Sequence, residues 1–162
     1  MMLIHGFRST ELVYSFKSAN AALYSKLFQM WEDGAKTLAN IEGLQLQYLI
    51  QPQPVTNGTN SLGLVPGEKD VVMGLLTAAY KNSADDDVVM ENVKAIVKKQ
   101  EDALQKEGLL LGFKYLNYAD KSQDPIGSYG KENKKRLQEA SKKYDPNGLF
   151  QTRVPGGFKL FD

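Results

Sequence analysis

LLLGFKYLNYAD, residues 109–120, follows a long charged stretch that stops at Gly108, and its reading decides the fold. Three leucines, then Phe113, Tyr115 and Tyr118, are types that suit a pleated, half-buried surface, so the segment predicts a last strand. With it, the chain runs strand, helix, strand, strand, helix, strand, then one more helix and an extended tail. That is the order of an α+β, ferredoxin-like (βαββαβ) domain, with helices on one face of an antiparallel sheet.

Upstream of Gly108, SADDDVVMENVKAIVKKQEDALQKEG (83–108) places Val89, Val93, Ile96, Val97 and Leu104 on one helical stripe. Ser83 or one of Asp85 to Asp87 is the expected cap, and carboxylates suit the positive end of a helix. The acidic triplet has no glycine-turned calcium loop around it, so capping explains it better than metal binding. DVVMGLLTAAY (70–80) reads as a strand in which Gly74 marks a bulge or a close approach by another group. VTNGTNSLGLVPG (55–67) is turn-rich and reads as a loop.

In GLQLQYLIQPQP (43–54), Leu44, Leu46, Tyr48 and Ile50 alternate with Gln45, Gln47 and Gln51, which predicts a strand with one polar face. Between Ala19 and Asn40, Leu23, Tyr24, Leu27, Phe28, Trp31, Ala35 and Leu38 form one helical stripe, read as core packing. TELVYSF (10–16) is the first strand, with Ser18 as the expected cap of the helix after it. KENKKRLQEASKKY (131–144) is a helix with a solvated lysine face, and FQTRVPGGFKLFD (150–162) reads as the tail.

The chain has 162 residues, 42% of them hydrophobic and 24% charged, which predicts one soluble domain over residues 1–162. Twenty Lys and Arg balance nineteen Asp and Glu, leaving a charge of +1 and no field to attract nucleic acid or anionic lipid. No cysteine and one histidine exclude thiolate catalysis and any multi-histidine metal site. The first residues are too short an apolar patch for a signal-peptide core, so a cytoplasmic protein is expected.

A ferredoxin-like layout leaves one sheet face bare. That face should carry Gln45 and Gln47, together with either Tyr115 and Asn117 or Lys114 and Tyr118, because alternate strand residues share a face. Read from the residues alone, Tyr115 and Tyr118 are packing residues and the glutamines are merely solvated.

KYLNYADKSQDPIGSYG (114–130) and SKKYDPNGLFQTRVPGGFKL (141–160) change that reading. They resemble the C-terminal segment of berberine-bridge-type, FAD-linked oxidoreductases, particularly fungal enzymes of secondary metabolism. The pattern of that family stands here as Tyr115, Asn117 and Tyr118, then Tyr129-Gly130 before the helix and the Asp145-Pro146 turn after it. NSLGLVPGEKDVVMGLLTAAYKNSADDD is similar to its substrate-domain loop and strand. The resemblance implies a substrate-binding domain whose sheet roofs a flavin ring, with Tyr115 as acid or base and Asn117 and Tyr118 as substrate or ring contacts. Nothing in the chain corresponds to the N-terminal flavin-binding region of the family.

The leading expectation is therefore a cofactor-independent isomerase or cyclase of fungal secondary metabolism, acting on a natural-product substrate through hydrogen bonds and acid catalysis on the bare face. Its catalytic candidates are Tyr115 and His5, the one side chain that titrates near neutrality unperturbed. Its binding candidates are Asn117, Tyr118, Gln45, Gln47 and Arg8. Two alternatives stand beside it: a fragment or subunit of an FAD-linked oxidoreductase, with FAD supplied by another chain, and a non-catalytic small-molecule binder. A bare sheet face also predicts a homodimer that stacks two sheets around a cavity.

Overall fold

A computed structural model describes residues 6–161. The chain forms β1 (Arg8–Lys17), α1 (Ala21–Thr37), β2 (Gln45–Pro52), β3 (Val71–Tyr80), α2 (Asp86–Lys106), β4 (Leu110–Leu111), α3 (Pro125–Ser128), α4 (Lys131–Tyr144) and α5 (Leu149–Thr152). The four strands make one antiparallel sheet in the order β2-β3-β1-β4. The α+β, ferredoxin-like architecture is present.

Strand pleating sends Leu12, Tyr14 and Phe16 to the same side as Val72, Leu76, Ala78 and Tyr80 of β3. The α1 and α2 stripes close over that side: Leu23, Leu27, Val89, Val93, Ile96, Val97 and Leu104 are all buried there. Each fully buried aliphatic side chain contributes roughly 1.5–3 kcal/mol, so this layer dominates stability. Gln100 of α2 is also buried and donates from Nε2 to the Leu27 carbonyl at 2.9 Å, fixing one helix against the other.

Gly74 answers to a close approach. It faces Tyr14 across the β1–β3 register, and a Cβ at Gly74 would stand 2.4 Å from Cζ of that ring. The Tyr14 phenol, fully buried, hydrogen-bonds the Tyr48 phenol at 2.8 Å. Burial is the chief cause that raises both groups, Tyr48 to about 12 and Tyr14 further.

Several local expectations are corrected. Asn20, not Ser18, caps α1, accepting from the Leu23 amide at 3.1 Å, while Ser18 Oγ bonds the Tyr24 phenol. Phe28 of the α1 stripe is 52% exposed and rests on Trp31. Asp85 occupies the N-cap of α2 without a side-chain cap bond. The tail folds back instead of trailing away: it contains α5, and Gln138 of α4 donates to the Leu160 carbonyl at 2.7 Å.

The largest correction falls on residues 109–120. Only Leu110 and Leu111 pair with β1, opposite Phe16 and Ser15. The chain then leaves the sheet edge and crosses its second face, where Phe113, Tyr115, Tyr118 and Ala119 pack on Val13, Met73 and Leu75. The second face is therefore half covered rather than bare.

Candidate functional site

What the crossing segment leaves open is the polar half of the second face. Pleating brings Glu11 of β1, Thr77 of β3, and Gln45, Gln47, Leu49 and Gln51 of β2 to that side, beside one another in register. They line a cavity of about 1010 Å³, with Tyr118 at its edge. Thr77 Oγ1 donates to Gln47 Oε1 at 3.5 Å, and the Tyr118 phenol donates to Gln51 Oε1 at 3.4 Å. Both bonds are long, so their donors can turn to a bound molecule at small cost.

Tyr115 and Tyr118 reach this face by a different route from a strand. Residues Leu116–Tyr118 form a single 3-10 turn, in which positions three apart share a side. Tyr115 and Tyr118 both lie against the sheet, their rings edge to face at 5.0 Å and 86°. A strand would have paired Tyr115 with Asn117 instead. Asn117 is exposed and donates from Nδ2 to the Tyr115 phenol oxygen at 2.9 Å. Lys114 turns away, donating to Glu101 of α2 at 2.9 Å from a half-buried position.

The remaining candidates separate. Gln45, Gln47 and Tyr118 share the cavity, whereas Tyr115 and Asn117 do not line it. Arg8 opens onto its far end, but pleating puts Arg8 on the helix side, where Asp86 grips the guanidinium through both carboxylate oxygens. Asp86 also accepts from the Tyr80 phenol at 2.8 Å. These bonds, Arg8 first, hold the Asp86 carboxyl below the usual carboxylate range, and Asp86 in turn raises Arg8. Arg8 is thus a corner ion pair rather than a free anion-binding group. His5 lies outside the described residues.

Two site features were not singled out from the sequence. Thr77 sits inside an apolar run, and only the strand register shows it level with Gln47. Gln123 accepts from the Val13 amide at 3.1 Å and donates to the Val13 carbonyl at 2.8 Å, so its amide stands in for the strand that stops at Leu111. It also accepts from the Asp120 amide at 3.3 Å, which pins the crossing segment onto β1. No local pattern announces a side chain in that role.

The starts of the two helices packed on the sheet do not suit the diphosphate of FAD, which is commonly held by a glycine-rich turn feeding the positive end of a helix. The approach to α1 is Ser18-Ala19-Asn20, whose asparagine side chain already occupies the Leu23 amide, and α2 opens on three consecutive aspartates. Among the described residues no group of carboxylates or histidines is arranged to hold a metal, and no helix is long and apolar enough to cross a membrane.

Residues 114–154 match the family model described as berberine and berberine-like. The chain is 38% identical to the FAD-dependent monooxygenase tpcD of Cochliobolus heterostrophus over 79% of its own length and 25% of that protein's. It is 36% identical to the FAD-dependent monooxygenase drtC of Aspergillus calidoustus, over 95% of the chain and 31% of the relative. The bifunctional solanapyrone synthase of Alternaria solani is 27% identical over 95% of the chain and 30% of its own length. The chain thus spans about a quarter to a third of the length of these curated relatives. No solved structure matches it.

Proposed function

We propose, from the premise that residues 114–154 are a berberine-like segment, that this chain is the substrate-facing domain of an FAD-linked oxidoreductase of fungal secondary metabolism. Flavin is then held by another part of the assembly, since neither α1 nor α2 offers a diphosphate cradle at its start. The observation that carries the reading is the cavity of about 1010 Å³ whose sheet floor is the row Gln45, Gln47, Gln51 and Thr77, with the Glu11 carboxylate beside Thr77 and Tyr118 also in its lining.

In this role the amides and the Tyr118 phenol orient a planar, oxygenated substrate by hydrogen bonds to its carbonyl or hydroxyl oxygens. Leu49 and Leu75 supply apolar contact for its ring faces. Tyr115 is a positioning residue: packed against the cluster of Val13, Met73 and Leu75 and bonded by Asn117, it holds Tyr118 through the edge-to-face ring contact. Redox chemistry belongs to the part that binds FAD.

The isomerase or cyclase reading uses the same groups without redox. It is favoured by one feature, the long bonds of Thr77 and Tyr118, which leave donors able to stabilise charge developing on a substrate oxygen. The purified chain mixed with FAD and passed through gel filtration tests the cradle argument. The expected eluate carries no flavin band near ~450 nm, and a retained band would sink the assignment of FAD to another part. A polyketide-like library then separates the two readings: binding without turnover supports the substrate-facing domain, and turnover by the chain alone supports the isomerase or cyclase.

A further inference from the structure

The two edges of the sheet are finished differently. On the β4 side the last strand is two residues long, and beyond it the Gln123 amide occupies the Val13 backbone groups. Short edge strands and side-chain plugs are the usual ways of keeping an edge from recruiting another chain. Among the described residues the β2 edge has none of them. β2 is the terminal strand, eight residues long, QLQYLIQP, without a charge, a glycine or a bulge, and its one proline is its last residue. Leu49 and Ile50 on its two faces are 43% and 40% exposed.

We infer that β2 pairs antiparallel with the β2 of a second copy across a two-fold axis normal to the sheet. The strand is complementary to itself. With the axis at Tyr48, Leu46 stands opposite the second copy's Ile50, Gln45 opposite its Gln51, and Gln47 opposite its Leu49, so every pair shares a face. Because the strand carries no charge, the symmetry brings no like charges together, and the outward N–H and C=O groups of alternate residues gain partners. The arrangement makes one eight-stranded sheet and closes at two copies. It also completes the site: the second copy's Gln51 extends the amide row past Gln45, so the cavity gains a wall from the other chain. This edge pairing does not depend on what the cavity binds, and it differs from a face-to-face stack of sheets.

Light-scattering mass and amide hydrogen exchange of the full chain between about 1 and 100 µM test it. The expected mass is twice the 18.0 kDa of one chain at the upper concentration, falling towards 18.0 kDa on dilution. Exchange within residues 45–52 should slow at least about tenfold over the same range, since only the dimer protects the outer amides. Leu49→Lys, which sets two like charges close to the axis, should hold the chain at 18.0 kDa while leaving its circular dichroism native. A mass of 18.0 kDa throughout, a mass above two copies, or a dimer whose β2 exchange ignores concentration overturns the inference. The exchange of the unmodified chain decides the matter if the variant fails to fold.

Discussion

Leu75 and Leu76 are neighbours in β3, both buried, and they live in different molecules, physically speaking. Leu76 enters a layer built from two helices and two strands, where fourteen buried residues share one cluster. Leu75 enters a patch of three buried residues roofed by a single irregular crossing of the chain. The first layer is made by periodic elements that can each present a whole stripe. The second is made by one irregular crossing that offers three rings, Phe113, Tyr115 and Tyr118. Stability therefore belongs to the helix side and the candidate chemistry to the other, where less packing has to be given up to leave polar groups open.

The contrast can be broken first by truncation. Leu76→Ala should cost about 2–5 kcal/mol, and Leu75→Ala about half of that, because the crossing segment can settle onto the gap. Equal losses in urea unfolding would show that the two faces are energetically alike. Next, Gly74→Ala drives a methyl into the Tyr14 ring, which is fully buried, and should cost about 1–3 kcal/mol, a fall of roughly 2–12 °C in melting temperature. An unchanged melting temperature would mean that the ring is not packed as described.

The phenol pair sharpens the comparison through pH. Tyr14 and Tyr48 are both raised in the folded protein, so the folded state keeps protons that the unfolded chain begins to lose near pH ~10. Their contribution is complete below that pH and is lost as pH rises towards and through about 12, where Tyr48 titrates. Melting temperature should fall over this window, and less steeply in Tyr14→Phe. An equal slope in that variant would remove the pair from the helix-side core. The smallest effect on stability belongs to the open face: Tyr118→Phe should leave unfolding within about 0.5 kcal/mol. It should nonetheless weaken binding of an oxygenated aromatic ligand by roughly fivefold in titration calorimetry. A stability loss matching that of Leu75→Ala would make Tyr118 a packing residue.

Much of the architecture was legible from period alone. Val89, Val93, Ile96, Val97 and Leu104 all reach the core and the glutamines of β2 share one face, because these features repeat at the spacing of a helix or strand, whereas only the register with Tyr14 decides between the bulge and the close approach that Gly74 left open. Residues 112–120 were not legible in the same way. A tyrosine, asparagine, tyrosine run fits a strand and a 3-10 turn equally well, and the two differ in which tyrosine faces where. Arg8 illustrates the other failure: a cation before a strand reads as available, and only the packing of α2 across the sheet brings Asp86 to it.

By itself, then, the sequence determined the order of elements, the two helical stripes, the polar face of β2 and the berberine-like character of residues 114–154. Each of these is written in local spacing or local motif. Tertiary structure alone decided that the last strand stops after Leu111, that Gln123 completes the β1 edge, that Tyr118 joins the glutamine row while Tyr115 packs against its ring, and that β2 is the terminal strand among the described residues. Those outcomes depend on which groups satisfy one another across 30 to 110 residues of chain, and spacing along the chain carries no record of that distance.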